Sequence, residues 1–443
     1  MANDLTRGSI TKTMLAFAGP MILGNLLQQM YNIADSFIVG QFIGAGALAA
    51  VGSAYTLMTF LTSILIGLCM GSSSLVSFYY GKHEIVKMKA CVYLAFALIG
   101  GIAVLLTALV FGFADPILML LRVPAELYAM MRSYVWIIYF GIIFIFLYNY
   151  FAYLLRAMGN SVTPMYFLGA TVLLNIVLDL VFVVVFDWGV EGAAIATVLS
   201  QAVSGVGIAV YTWKTERTLR FAKGEFHYER GTVREILQFS TMASLQQSVM
   251  NFGILMIQGL VNSFGTPVMA AFAAAVKIDS FAYMPAQEFA NAYSLFISQN
   301  FGAGEKGRVR EGTRHAIRIS VLFCLFISVL EFVCARYLMM IFIHPGETQI
   351  IQIGMGYLRV EGAFYCGIGL LFLLYGYFRG INRPEMSLVL TVISLGTRVV
   401  LAYTLAPIPS IGVWGIWAAI PIGWILADLV GLCRMAKKKN GDL

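Results

Sequence analysis

Twelve stretches of this chain run for twenty or more residues with few or no charges, and that feature leaves very few folds open. They lie at about 13–42, 48–80, 88–112, 126–155, 163–186, 190–213, 235–263, 268–301, 313–336, 348–378, 386–405 and 412–433. Each matches the roughly 20 helical residues that cross a bilayer. In hydrocarbon every backbone N–H and C=O must bond within the protein, so only helices and closed barrels can span it. Barrel strands read as ~10-residue segments of alternating polarity, far shorter than these runs. Composition agrees, with 60% apolar and only 12% charged residues. A soluble fold carries ~25% charged residues to cover its surface. The sequence therefore reads as an all-α integral membrane protein with twelve spans. The first residues, MANDLTRGSITK, lead into span 1 with no small-residue cleavage site after it, which reads as a retained span. Cys69, Cys91, Cys324, Cys334, Cys366 and Cys433 are scattered without a CxxC pair, and read as small buried hydrophobes. The four histidines form no cluster.

The net charge of +7 reports topology. Of 29 Lys and Arg, 23 fall on one side of the predicted spans. That side includes Arg7 and Lys12, the 81–89 loop, Arg156, the 214–234 connection, 306–318, the 379–383 turn and the C-terminal Arg434, Lys437, Lys438 and Lys439. The opposite loops carry only Arg122 and Arg336. Cytoplasmic loops are enriched in Lys and Arg, so both termini are expected in the cytoplasm of a multi-pass inner-membrane protein. Nucleic acid is not an expected partner.

An internal repeat divides the chain. GVEGAAIAT at 189–197 aligns with GVWGIWAAI at 412–420, an offset of 223. Leu15-Ala16-Phe17 aligns with Leu237-Gln238-Phe239 at an offset of 222. RAMGNSVTP and RGINRP occupy the equivalent turn after the fourth span of each half. Matches at one offset indicate duplication, since chance would scatter them. Six spans per half is even, so the halves enter from the same side, the parallel repeat of alternating-access transporters. The expected organisation is an N-lobe at 1–213, a basic linker at 214–234 and a C-lobe at 235–443.

A carboxylate inside a span costs at least ~2.5 kcal/mol on insertion scales and needs a reason to be there. Asp35 on span 1, Asp179 on span 5 and Thr197 on span 6 all fall ~10 Å below the outer surface at 1.5 Å per residue. Asn175 is one turn from Asp179 on the same face. Two carboxylates, an amide and a hydroxyl at one depth suit a hard cation or a shared proton. The repeat offsets place Ile257, Arg398, Ala402 and Ile420 at the corresponding positions, so the site is expected once. The second half carries Lys277, Asp279, Gln287 and Glu288 on span 8, Arg359 and Glu361 on span 10, Arg398 on span 11, and Gln246 and Gln247 on span 7. These either contact substrate or neutralise one another. Glu331, near the outer end of span 9, is expected to snorkel toward the interface. Pro20, inside span 1, removes a backbone hydrogen bond and kinks the helix, either as a fixed bend or as part of the mechanism. Aromatic residues and 22 Met supply soft, repackable surfaces of the kind a polyspecific cavity uses.

FAGPMILGNLLQQMYNIADSFIVG, NIVLD, GVEGAAIAT and NFGAGE together resemble the multidrug and toxic-compound extrusion (MATE) family of the oligosaccharidyl-lipid/polysaccharide exporter superfamily. The resemblance covers nearly the whole chain. It implies antiport of amphiphilic, organic-cation drugs or metabolites driven by Na⁺ or H⁺, with no cofactor beyond the coupling ion. It also implies a coupling-cation site at Asp35, Asn175, Asp179 and Thr197, a kink at Pro20 and a polar neighbour in Tyr134. Other branches of the family carry an acid mid-way along span 7, where this chain has Gln246 and Gln247. A C-lobe cation site of that type is not expected, and Lys277 is ill suited to trapping organic cations. The alternative within the superfamily is a flippase for a lipid-linked or polysaccharide precursor, which would require more helices and a more cationic cavity. Asymmetric halves argue against a channel built from repeated subunits. No nucleophile–base pair, metal-ligand spacing or phosphate loop suggests an enzyme. The chain is expected to act as a monomer, with membrane lipid and small amphiphiles as its partners.

Overall fold

The computed structural model describes residues 4–120, 125–220 and 230–439. Arg122 and residues 221–229 of the basic connection lie outside the described residues, as do the side chains of Lys437, Lys438 and Lys439. The described chain forms α1 Ile10–Phe42, α2 Ala45–Gly81, α3 Ile85–Gly112, α4 Ala114–Leu120, α5 Ala125–Tyr139, α6 Gly141–Ala157, α7 Val162–Asp179 and α8 Gly189–Thr215. It continues with α9 Arg230–Asn262, α10 Thr266–Gly302, α11 Lys306–Met340, α12 Thr348–Ala363, α13 Tyr365–Gly380, α14 Pro384–Leu405 and α15 Val413–Lys439. Among the described residues, nine helices are each long and apolar enough to cross a membrane. Two bent pairs also qualify, α5 with α6 (40°) and α12 with α13 (55°). The remaining expected span, the seventh at 235–263, corresponds to α9, whose 33 residues suffice in length but include two Arg, one Glu and four Gln. Each expected span thus has a helical counterpart. The fourth and tenth spans both break, around Phe140 and Phe364, a feature that an apolar run does not reveal.

Two compact units emerge from the packing. Unit 1 comprises Met1–Asp4 and Gly19–Ser244, and unit 2 comprises Leu5–Ala18 and Leu245–Leu443. Each of the helices α1 and α9 therefore contributes to both units. In α1 the division falls between Ala18 and Gly19, next to Pro20 inside the helix.

In unit 1, α6 packs against α2 and α8, around Leu65, Tyr139, Ile142, Phe146 and Leu155. Small residues bring backbones together, as is usual where lipid and protein are equally apolar. A Cβ on Gly67 would come within 2.9 Å of the Ala243 carbonyl, and one on Gly71 would strike the Phe239 carbonyl, so α2 and α9 meet backbone to backbone. Tyr79 donates to Glu235 Oε2 at 2.6 Å beside this seam. In the turn between α2 and α3, Lys82 hydrogen-bonds Glu84 at 2.7 Å and Lys87 lies 3.5 Å away. The Lys82 bond, with Lys87 beside it, holds the Glu84 carboxyl below its usual range.

In unit 2, α14 lies along α15 and α10 along α13. Phe272 stacks on Trp417 at 5.5 Å, and Tyr357 meets Trp417 edge-on at 4.9 Å. The NFGAGE segment closes α10 and fastens the start of the chain. Asn300 Nδ2 donates to Leu5 O at 3.1 Å, and Arg308 donates to Asn300 Oδ1 (3.0 Å), Gly8 O (2.9 Å), Leu5 O (3.3 Å) and Arg7 O (3.3 Å). Hydrogen bonds to a charged group contribute about 1.5–3 kcal/mol. Arg308→Ala is expected to release the segment and accelerate tryptic cleavage after Arg7 in the purified protein. Arg308→Lys should recover only part of the protection, because an ammonium lacks the guanidinium fork.

The structure corrects two expectations. Glu331 does not snorkel: it is 2% exposed. Gly362 packs beside its Oε2, and Tyr365 places a hydroxyl 3.1 Å from Oε1. The cysteines are not uniformly buried either. Cys69, Cys91 and Cys324 are, whereas Cys334 and Cys366 are half-buried and Cys433 is exposed near the end of α15.

Candidate cation site and family

Four elements of unit 1 deliver the candidate site. Asp179 ends α7 and is followed by a π-helical turn, Leu180–Val185. Wide turns of this kind interrupt helices at functional sites more often than elsewhere. Asn175, one turn earlier, faces the same way, and both residues are fully buried. Thr197 comes from α8, which starts at Gly189, where φ of +57° reverses the chain into the helix. Asn175 Nδ2 donates to Thr197 Oγ1 at 3.4 Å, which ties α7 to α8. From α1, Tyr31 brings its hydroxyl 3.4 Å from the same Thr197 oxygen. Asp35 lies one turn beyond Tyr31 on that helix, and Asp35 and Asp179 fall within electrostatic reach of each other. Tyr134, from α5, is 6% exposed and within reach of both acids.

Four acceptor oxygens of this group lack donors. Asp35 Oδ1, Asn175 Oδ1 and both carboxylate oxygens of Asp179 are buried with no hydrogen-bond partner. A buried carboxylate with neither donor nor counter-charge is strongly unfavourable. No Lys or Arg completes an ion pair with either acid among the described residues. Oxygen-rich groups of this kind can hold a hard cation or share a proton. Depth along the spans gathers Asp35, Asn175, Asp179 and Thr197, and the family resemblance adds Tyr134, but both miss Tyr31. Its spacing of four from Asp35 is the available signal.

A family model for MatE matches the chain twice, over residues 20–181 and 242–404. The chain belongs to the MatE family. The two MATE matches begin 222 and end 223 residues apart, the offsets of the internal repeat. The chain is 32% identical over 393 residues to the probable multidrug resistance protein YpnP of Bacillus subtilis, covering 89% of this chain and 87% of that protein. It is 24% identical to the multidrug export protein MepA of Staphylococcus aureus, with 87% and 85% covered. A solved structure described as the outward-facing conformation of a multidrug resistance MATE family transporter superposes with a TM-score of 0.92, at 24% identity and full coverage of both chains. The protein is thus a multi-pass MATE transporter of the bacterial efflux type, and the flippase alternative is not favoured.

In the second half of this MATE chain the expected polar residues do not form one group. Lys277 is exposed and lies over the Phe342 ring at 5.9 Å. Arg359 is likewise exposed, over the Phe332 ring at 5.4 Å. Glu288 accepts from Asn291 at 3.3 Å, one turn along its own helix. Gln246 is buried and Gln247 half-buried on α9. Asp279, Glu361 and Arg398 do come together, with Glu331 and Tyr365, in the core of unit 2. The sequence alone leaves open whether these charges pair or meet substrate, and it gives no sign that Tyr365 joins them.

Proposed function

We propose that the protein is a Na⁺- or H⁺-coupled antiporter that exports amphiphilic small molecules, including organic cations. The coupling cation binds at Asp35, Asp179, Asn175 and Thr197. The observation that carries this reading is Asp179, a fully buried carboxylate with both oxygens unpartnered. Binding a cation there and releasing it on the other side of the membrane gives the site two states of different energy, which is what coupling requires. Tyr31 and Tyr134 line the site as neutral hydroxyls. Pro20 lowers the cost of changing the course of α1, on which Asp35 is carried. The names of the relatives support a multidrug substrate range, and the chain's aromatic and Met content is suited to it. The lobes are those expected from the repeat, 1–213 with the cation site and 235–443, joined by 214–234. Both termini face the cytoplasm, the protein works as a monomer, and no cofactor takes part.

Proteoliposomes loaded with a fluorescent organic cation provide the test, with sodium and proton gradients imposed separately. Export driven by at least one gradient is expected, and export indifferent to both would end the coupling model. Thr197→Val distinguishes the ions. A hydroxyl is a ligand for Na⁺, whereas a proton needs only the carboxylates, so the variant should weaken sodium-driven export by about tenfold, or ~1.4 kcal/mol, and largely spare proton-driven export.

A further inference from the structure

Unit 2 encloses three carboxyl groups that the cation site does not use. Asp279 on α10, Glu331 on α11 and Glu361 on α12 are 6%, 2% and 2% exposed. The phenol of Tyr365, at the start of α13, stands between two of them, bonded to Asp279 Oδ1 and 3.1 Å from Glu331 Oε1. A phenol has one hydrogen, which it can donate to one carboxylate only. The other contact closes only if that carboxyl carries its own proton and donates it to the phenolic oxygen. With both acids ionised, an acceptor would face an acceptor in a dry interior. Glu361 is within electrostatic reach of Asp279 and adds a third carboxyl to the same buried space. Glu331 Oε2 and Glu361 Oε1 are buried without hydrogen-bond partners.

The surrounding groups do not neutralise the cluster. Arg398 on α14 acts on Asp279 and Glu361 electrostatically, and its own Nε is buried without a partner. Tyr283 on α10 and Tyr357 on α12 are the other titratable side chains facing it. On α15 the nearest acid is Asp428, which sits by Gly367 of α13 and adds no positive charge. Lys277 and Arg359 are exposed over separate aromatic rings. One guanidinium therefore faces three carboxyls. No group of three or more such acids, Cys or His is arranged to hold a metal ion among the described residues.

We propose that Asp279, Tyr365, Glu331 and Glu361 form a proton-binding site in unit 2, distinct from Asp35 and Asp179 and holding at least one exchangeable proton at neutral pH. The proton moves between Glu331 Oε1 and Asp279 Oδ1 by the reversible O–H exchange of the bridging phenol, and no other reactant is consumed.

Infrared spectroscopy of the full-length purified protein tests this without reference to export, so its outcome is separate from that of the coupling model. The carbonyl stretch of protonated carboxyl groups is followed across pH and on H₂O/D₂O exchange, in a D35N/D179N/D428N background that removes the other buried acids named above. A protonated-carboxyl band that persists at neutral pH in this background is expected. It should weaken in E331Q and shift in frequency in Y365F, which removes only the bridging hydroxyl. Absence of the band at neutral pH, or a band unchanged by E331Q and Y365F alike, would overturn the proposal. Should E331Q fail to fold, the Y365F shift decides alone. Should the triple background fail, the same comparisons are made as differences from the wild type.

Discussion

Replacing Asp35 or Asp179 with asparagine is expected to abolish most export while leaving the amount of folded protein unchanged. The amide keeps the shape of the side chain and removes the charge that demands a cation. Coupling between two sites is typically about 1–3 kcal/mol, so each variant should lose roughly 5- to 150-fold in driven efflux. Asp179→Asn should be the more severe, because both of its oxygens are buried and unpartnered, whereas Asp35 is half-buried and shares this condition at Oδ1. Thermal stability should hold steady or rise, since a buried charge without a partner is replaced by a neutral group. Dye efflux from cells expressing each variant, read beside melting curves of the purified proteins, makes the check. Undiminished efflux by both variants would remove Asp35 and Asp179 from the mechanism.

Gly71→Ala is expected to destabilise unit 1 severely for the addition of a single methyl group. The added carbon would meet the Phe239 carbonyl, which is backbone and cannot rotate away as a side chain would. Overpacking of this kind costs about 1–3 kcal/mol, a sizeable part of the ~5–15 kcal/mol that keeps a domain folded. At roughly 2–4 °C per kcal/mol for a unit of this size, the melting temperature should fall by several degrees. Gly101→Ala on α3 is the internal comparison. It meets nothing within 4 Å, and it should be neutral or slightly stabilising through better helix propensity. Equal melting temperatures for the two variants would show that α2 and α9 are not packed as described.

The spans are legible because membrane helices announce themselves in long apolar runs, and the starts of α8 and α15 fall within a residue or two of where the repeated GVEG and GVWG motifs begin. The bends near Phe140 and Phe364 are not legible. No proline marks them, and an apolar run looks the same straight or broken. Depth along the helices brings Asp35, Asp179 and Thr197 to one level, because rise per residue is constant. Depth alone cannot show which faces meet, and so Tyr31 and Tyr365 pass for ordinary membrane tyrosines. Glu331 misleads for the same reason. Its position near a helix end suggests an escape to the interface, but Gly362 and Tyr365, distant in sequence, pack against it and Tyr365 gives it a hydrogen-bonding partner.

The π-turn at Leu180–Val185 has a further consequence. Such a turn holds one more residue than the regular spiral, so the stretch between Asp179 and the start of α8 contains slack that can be wound in. Reverting it to α geometry would advance the following residues by about 100° around the axis without breaking a covalent bond or lengthening the loop.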